Sequence, residues 1–130
     1  MDTSAFLQIR LSDPGALECQ RDIGLLHLPV YVTVTVIAEA HRRVLFDFGQ
    51  RQADAFVTEA YSGSLLLVRP SEDDETEAIR LMRKYSDLQL TFCDGLSLAV
   101  MLRLGIPRAF TYDHRHFRAV GFIVVPPLDI

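Results

Sequence analysis

The sequence predicts an α/β fold with a largely parallel sheet. Short runs of β-branched and aliphatic residues alternate along the chain with longer stretches whose apolar residues recur at helical spacing. Hydrophobic residues make up 49% of the 130 residues, which is enough to build the core of one domain. We therefore expect a single domain over residues 1–130. The amino terminus shows no basic region followed by an apolar stretch, and we expect a cytoplasmic protein.

The first half of the chain predicts two strands and two helices. Residues 30–33 are mainly β-branched and predict a strand. Residues 34–48 predict a helix, because one helical face carries the apolar positions 34, 37, 41 (a histidine), 44, 45 and 48. Residues 50–61 predict a second helix. Its apolar face consists of Ala53, Phe56, Val57 and Ala60. Residues 65–68 are aliphatic and predict the second strand.

The second half of the chain predicts two further helices and two further strands. Ser71 and Asp74 form the S-x-x-D pattern that starts a helix. Residues 91–104 form the clearest helical pattern in the chain. Its expected buried stripe consists of Phe92, Gly95, Leu96, Ala99 and Leu102. Short apolar runs at residues 109–111 and 122–125 predict the last two strands.

Four acidic residues stand where a predicted strand gives way to a helix or a loop: Asp2, Glu39, Asp94 and Asp113. In open α/β sheets, functional groups collect at the carboxyl ends of the strands, so we expect these four to meet at one rim of the sheet. Carboxylates packed together repel one another unless cations bind. Hard oxygen ligands suit Mg²⁺ or Mn²⁺, and the characteristic chemistry of such clusters is phosphodiester hydrolysis.

The charge balance gives a mixed indication about nucleic acid. The formal net charge is −4, so the chain as a whole lacks the basic footprint of a nucleic-acid-binding protein. All its basic residues except Lys84 are arginines, which suit bidentate contact with phosphate. Four of these arginines flank two of the acids and could hold a phosphate backbone: Arg42, Arg43, Arg115 and Arg118.

Two histidines lie next to the last acid, in the segment D-H-R-H. His114 and His116 could supply a general base or nitrogen ligands for a transition metal, or they could be solvated loop residues that contact phosphate. The sequence contains neither the G-x-x-x-x-G-K-[ST] loop of nucleotide binding nor the G-x-S-x-G turn of a serine hydrolase. The carboxylate cluster therefore remains the main candidate for chemistry.

Several segments resemble one known family. They are D-T-S-A-F, V-I-A-E-A-H-R-R, T-F-C-D-G-L-S-L-A-V-M-L-R-L-G-I and A-F-T-Y-D-H-R-H-F-R-A-V-G-F. Together they are similar to the PIN-domain family, and within it to the VapC-type toxins of bacterial toxin–antitoxin pairs. The resemblance covers nearly the whole chain. It implies a three-layer α/β/α, PIN-like domain with a central, mostly parallel sheet.

The resemblance also implies a function, a Mg²⁺- or Mn²⁺-dependent endoribonuclease. The metal ligands and catalytic acids would be Asp2, Glu39, Asp94 and Asp113. The hydroxyls that support these ligands would be Thr3, Ser4 and Thr111. The substrate would be RNA, the chain would pair as a homodimer, and a cognate antitoxin protein would hold it inactive.

One feature departs from the family pattern. A hydrophobic strand normally leads into the first aspartate of the family, whereas only Met1 precedes Asp2 here. We therefore expect part of the first strand to be missing and Asp2 to be held less firmly. This departure keeps an alternative open, a PIN-like module that binds RNA or protein with little or no catalysis. The sequence pattern assigns no helix or strand to residues 11–28.

A phosphoacceptor receiver domain is a different α/β protein that we also considered. It requires an acceptor aspartate after the third strand and a lysine near the last strand. No aspartate follows residues 65–68 directly, and the single lysine, Lys84, lies in a predicted helix. The sequence therefore disfavours this class.

Overall fold

Helices and short parallel strands make up the part of the chain that the computed structural model describes, residues 1–126. The strands are β1 (Tyr31–Thr33), β2 (Leu66–Val68), β3 (Arg108–Phe110) and β4 (Ile123–Val125). The α-helices are α1 (Thr3–Arg10), α2 (Pro14–Leu25), α3 (Val34–Phe48), α4 (Gln50–Ala60), α5 (Glu72–Lys84), α6 (Phe92–Leu104) and α7 (His114–Val120). A 3₁₀ turn lies at Ser86–Leu88. The predicted α/β class with parallel strands is confirmed.

The described strands form two parallel pairs instead of one continuous sheet. β1 pairs with β2, with Val32 opposite Leu67, and β3 pairs with β4, with Ala109 opposite Val124. The first two residues of the chain lie between the pairs. The amino group of Met1 donates to the carbonyl oxygen of Tyr31 at 3.1 Å. The backbone N–H of Asp2 donates to the carbonyl oxygen of Phe110, also at 3.1 Å.

Asp2 was expected just after a strand, and that expectation is wrong. Asp2 is the residue that caps the start of α1, and its extended backbone (φ −117°, ψ 180°) continues no described strand. A cavity of about 1190 Å³ is lined by Met1 together with residues of β1, β3, α2 and α6. Two residues and a cavity therefore separate the two strand pairs.

The buried residues form three clusters. One lies between α3, α4 and β1, and a second lies between α5, α6, α7, β3 and β4. The third is small and joins α1, α2 and β3 through Ala5, Ala16 and Phe110. Phe6 of α1 packs edge-on against Phe56 of α4, with ring centroids 5.3 Å apart, so α1 also contacts the first cluster. Among residues 1–126, no helix is long and apolar enough to cross a membrane.

The sequence pattern predicted where α3 begins and ends more accurately than it predicted which side of the helix is buried. α3 spans the predicted residues, but its buried side chains are Val36, Ile37, Ala40 and Val44. Phe48, expected on the buried face, is 40% exposed. The face is rotated because α3 packs against both α1 and α4. Glu39 faces outward, as predicted.

α6 is buried on every side over Gly95–Met101, and not along one stripe. It packs against α5, α3, α7 and β1, which together surround its middle two turns. Phe92 and Leu102, two members of the predicted stripe, lie near the two ends of α6 and are more than 40% exposed. An amphipathic stripe is the wrong template for a helix at the centre of a domain.

The sequence pattern missed three helices, α1, α2 and α7. α2 occupies much of the segment that was left without an element. It begins with Asp13, whose carboxylate accepts a hydrogen bond from the N–H of Ala16, and it has a proline at its first position, both ordinary start signals. α7 begins directly after Asp113, where a loop was expected.

Asp74 joins two helices of the second cluster. As predicted, it forms a capping box with Ser71 at the start of α5. Its carboxylate also accepts two hydrogen bonds from Arg103 of α6, from Nε at 2.9 Å and from Nη2 at 2.8 Å. The Asp74 side chain is only 3% exposed. The Arg103 guanidinium lowers the pKa of Asp74 from 3.8 to about 2.

Replacing this carboxylate should lower stability in a pH-dependent way. Because the folded-state pKa of Asp74 lies below its unfolded value, its stabilising contribution is complete above the unfolded pKa and disappears as the pH falls towards 2. We expect Asp74→Asn to lower the free energy of unfolding by about 1–2 kcal/mol at neutral pH, since it weakens hydrogen bonds to a charged group. Urea unfolding of both proteins across this pH range measures the difference.

The matched control is Glu77→Gln on the same helix. Glu77 pairs with Arg80 at an exposed site, so the substitution should change stability much less than Asp74→Asn. A difference between wild type and Asp74→Asn that stays the same from neutral pH down to acid pH would contradict the role of the charge.

Candidate functional site

The starts of α6 and α7 bring two of the predicted acids together. Asp94 lies in the first turn of α6, where its Oδ2 accepts from the N–H of Thr91 and its own N–H donates to the Thr91 hydroxyl, both at 3.1 Å. This capping box fixes the direction of the Asp94 side chain. Asp113 precedes α7, but its carboxylate makes no capping bond to that helix. The Asp113 carboxylate is therefore available for another partner.

A histidine completes a compact group of possible metal ligands. One ligand atom each from Asp94, Asp113 and His116 lie within 4.8 Å of one another. Nδ1 of His116 is 3.5 Å from Oδ2 of Asp94. His116 lies in the first turn of α7, three residues after the capping position Asp113, and this spacing brings the two side chains close together. The sequence left His116 as one of several options, and its D-x-x-H spacing from Asp113 is the signal that could have singled it out.

Asp2 lies beside this group, and the expectation that it would be held less firmly is wrong, because its buried carboxylate accepts three hydrogen bonds. Its Oδ1 accepts from the hydroxyl of Ser4 at 2.7 Å and from the N–H of Ala5 at 3.2 Å. Its Oδ2 accepts from the hydroxyl of Thr111 at 2.5 Å. Burial raises the pKa of Asp2, these hydrogen bonds partly oppose the rise, and the charge of Asp113 adds to it. Asp2 thus lies near Asp113, and both carboxylate oxygens of Asp2 already accept hydrogen bonds.

Glu39 approaches the same rim from α3. Burial raises the pKa of the Cys93 thiol to about 12, and the nearby charge of Glu39 adds to that rise. The pKa of Asp113 is also raised, first by burial and then by the charge of Asp94, with a further contribution from Glu39. Asp2, Glu39 and Asp94 therefore each lie close enough to Asp113 for their charges to interact with it. The structure gathers them at one rim, although only Asp94 and Asp113 belong to the compact group.

Two of the three predicted supporting hydroxyls hold this arrangement. The Thr111 hydroxyl donates to Asp2 and accepts from the N–H of Asp113 at 2.9 Å. The Ser4 hydroxyl donates to Asp2 and accepts from the N–H of Tyr112 at 2.8 Å. The third, Thr3, has a buried hydroxyl oxygen with no hydrogen-bond partner in the described part of the chain. Thr111 and Ser4 therefore tie the start of α1 to the end of β3.

Sequence reasoning missed two residues that support the site. Thr91 holds Asp94, and the T-x-x-D spacing of a capping box could have identified it. Asp13 accepts a hydrogen bond from the Tyr112 hydroxyl at 2.6 Å and so attaches α2 to the segment between β3 and α7. No local pattern links these two residues, because they are far apart in the chain.

The four predicted arginines lie on the two helices that carry rim residues. Arg42 and Arg43 line a small cavity of about 410 Å³ together with Glu39 and Phe46. The guanidinium of Arg42 lies 5.5 Å from the centre of the Phe46 ring, and Arg43 is 3.7 Å from Asp47. On α7, Arg115 donates to the carbonyl oxygen of Asp87 at 3.4 Å. Arg118, on the same helix, is exposed.

The donor set at the rim fits a divalent cation. The Asp113 carboxylate makes no capping hydrogen bond, and Nδ1 of His116 is buried without a hydrogen-bond partner among the described residues. Carboxylate oxygens are the ligands that Mg²⁺ and Mn²⁺ prefer, and imidazole is a common ligand of transition metals. Burial raises the pKa of Asp113, and the nearby charges of Asp94 and Glu39 add to the rise, so a cation here would neutralise part of this negative charge.

The fold is similar to that of a solved toxin. The crystal structure of VapC20 from Mycobacterium tuberculosis, described as a sarcin-ricin loop cleaving toxin, matches this chain with a TM-score of 0.82. The match covers 97% of each chain at 23% sequence identity, and at that identity it shows a shared fold. No curated protein matches the chain.

A family model agrees with this likeness. The model described as the PIN domain matches residues 1–123 and therefore covers Asp2, Glu39, Asp94 and Asp113 together. The predicted resemblance is confirmed. This chain belongs to the PIN-domain family.

Proposed function

We propose that this protein is a divalent-metal-dependent endoribonuclease and the toxin of a toxin–antitoxin pair. The observation that carries the proposal is the group formed by Asp94, Asp113 and His116, whose ligand atoms lie within 4.8 Å of one another in a chain of the PIN-domain family. The similarity to VapC20, which is described as a sarcin-ricin loop cleaving toxin, supports the same class of activity.

The rim residues have distinct tasks in this proposal. Asp94 and Asp113 offer carboxylate oxygens to the cation, and Glu39 offers another from α3. Asp2 acts through Thr111, because the same hydroxyl that binds Asp2 also fixes the backbone of Asp113. Bound Mg²⁺ or Mn²⁺ would supply the acidity that produces a water-derived nucleophile near neutral pH and would stabilise charge at the scissile phosphate.

The arginines would hold the RNA backbone. Arg115 and Arg118 lie on α7, the helix that starts at Asp113, while Arg42 and Arg43 lie one turn beyond Glu39 on α3. The two pairs would thus approach the rim from two helices. A guanidinium can form two parallel hydrogen bonds to a phosphate, so these positions would orient the strand across the acids.

The partners follow from the class of protein. A PIN-family toxin acts on RNA, is held inactive by a cognate antitoxin protein and pairs as a homodimer, and we extend these properties to this chain as part of the proposal. We also place its action in the cytoplasm, where its RNA substrate is found. Exposed apolar side chains on α2 and α3, such as Leu25 and Phe46, offer surface for protein contacts.

A second candidate function is a PIN-like module that binds RNA or protein without cleaving RNA. The engagement of Asp2 favours it, because three protein donors already occupy the oxygens of this predicted ligand. Calorimetry distinguishes the two functions. A module of this kind would bind RNA but no Mn²⁺ at millimolar concentration, whereas the enzyme requires the cation.

RNA cleavage should depend on both acids of the compact group. We expect Asp94→Asn and Asp113→Asn each to lower the single-turnover rate on a mixed RNA pool in Mn²⁺ by about 100-fold or more, because each removes charge aimed at the reacting centre. Adding EDTA to wild type should abolish cleavage. Gel separation of the products measures all these rates.

Glu59→Gln is the matched control for these substitutions. Glu59 is an exposed acid on α4, so its replacement also removes one carboxylate charge but should leave cleavage at the wild-type rate. Thermal unfolding of each variant confirms that it is folded. Cleavage that survives EDTA and both aspartate substitutions would show that the nuclease does not use this site.

The thermal stability of the protein should depend on bound Mn²⁺ and on the negative charge of Asp113. The raised pKa of Asp113 means that its charged form costs folding free energy, and this cost grows as the pH rises through the folded-state pKa. Without metal at neutral pH, we expect Asp113→Asn to melt at a higher temperature than wild type. Adding Mn²⁺ should stabilise wild type and have much less effect on the variant.

Differential scanning calorimetry with and without Mn²⁺ measures both effects. Asp54→Asn provides the control, because Asp54 is an exposed acid on α4 away from the rim. A metal-free Asp113→Asn variant that is less stable than wild type, and an equal response to Mn²⁺ in both proteins, would contradict the charge repulsion described here.

A further inference from the structure

We propose that His116 is a nitrogen ligand of the cation at this rim and makes the site select Mn²⁺ over Mg²⁺. This inference rests on the proposed function and deepens it, because it names a ligand outside the four acids and the cation that the site prefers.

The distances place His116 within reach of a shared ion. Two atoms that each lie about 2.1 Å from one ion can be up to about 4.2 Å apart. Nδ1 of His116 and Oδ2 of Asp94 are 3.5 Å apart and already meet this limit. The ligand atoms of all three residues, including Asp113, lie within 4.8 Å of one another, which is only slightly beyond this limit. A small side-chain rotation of the exposed Asp113 would therefore complete a three-ligand site.

The surroundings of Nδ1 also favour a bound cation. This atom is buried and has no hydrogen-bond partner within residues 1–126. The carboxylate oxygen of Asp94 faces it at 3.5 Å, which is too long for a normal hydrogen bond. Buried polar atoms without partners are rare in folded proteins and call for an explanation such as an ion. A metal ion between Nδ1 and Oδ2 would serve both atoms.

His114 provides a comparison within the same helix. Its Nε2 is also buried without a partner among these residues, but it does not belong to the group of ligand atoms around Asp94. Its ring lies instead beside Tyr112, with centroids 6.0 Å apart. The ligand role is therefore specific to His116, and His114 is the natural control.

The chemistry of the three ligands sets the preference among cations. Mg²⁺ binds oxygen ligands and gains little from imidazole, whereas divalent transition metals accept both carboxylate and imidazole. Two carboxylates and one imidazole should therefore bind Mn²⁺ more tightly than Mg²⁺. The imidazole is the ligand that makes the affinities for Mn²⁺ and Mg²⁺ differ. Removing it should therefore lower the affinity for Mn²⁺ more than the affinity for Mg²⁺.

Calorimetric titration of Mn²⁺ and of Mg²⁺ into wild type, His116→Ala and His114→Ala tests the proposal. We expect wild type to prefer Mn²⁺, and His116→Ala to lose about 10–100-fold in Mn²⁺ affinity while its Mg²⁺ affinity changes little. His114→Ala should keep the preference for Mn²⁺. Thermal unfolding verifies that each variant is folded.

Pulsed electron paramagnetic resonance on the Mn²⁺-bound protein adds a spectroscopic readout of the ligand itself. Mn²⁺ bound to His116 should show coupling to a ¹⁴N nucleus, and the coupling should disappear in His116→Ala. Bound Mn²⁺ without ¹⁴N coupling, or an equal loss of Mn²⁺ and Mg²⁺ affinity in His116→Ala, would overturn the ligand role and leave the proposed nuclease standing. Failure of wild type to bind Mn²⁺ at millimolar concentration would overturn both.

Discussion

The Thr111 hydroxyl is the contact on which the geometry of the site depends. It donates to the buried carboxylate of Asp2 and accepts from the N–H of Asp113, so one atom joins the start of α1, the end of β3 and the start of α7. Thr111 is completely buried. Because Met1 and Asp2 also lie between the two strand pairs, this hydroxyl helps to fix the position of one pair relative to the other.

By joining Asp2 to Asp113, the Thr111 hydroxyl also brings two negative charges close together, and this proximity costs folding free energy. Asp2 and Asp113 both have raised pKa values, in each case first because of burial and then because other acids are near. A carboxylate with a raised pKa weakens the folded state near neutral pH. The buried carboxylate of Asp74, in contrast, is paired with Arg103, and this pairing lowers the pKa of Asp74. Acids that pair with an arginine, such as Asp74, typically have a structural role. Acids with raised pKa values that lie close together, such as Asp2 and Asp113, are typical of functional sites.

Local signals in the sequence were accurate where only neighbouring residues decide the outcome. The limits of α3 and the capping box of Ser71 and Asp74 were predicted, because both depend on residues within a few positions of each other. The buried faces of α3 and α6 were not, since burial depends on which remote helices pack against them. The start of α2 had an ordinary signal at Asp13, but its neighbours gave no clear apolar period.

The sequence by itself determined the family and the parallel α/β class, since both follow from residue types at short spacing. Tertiary structure alone decided that Asp94 and Asp113 meet His116, that Asp2 is occupied by Ser4 and Thr111, and that the described strands form two separate pairs. The physical reason is chain distance. Asp2 and Thr111 are 109 residues apart, and only the packing of α1 against β3 brings their side chains within hydrogen-bonding distance.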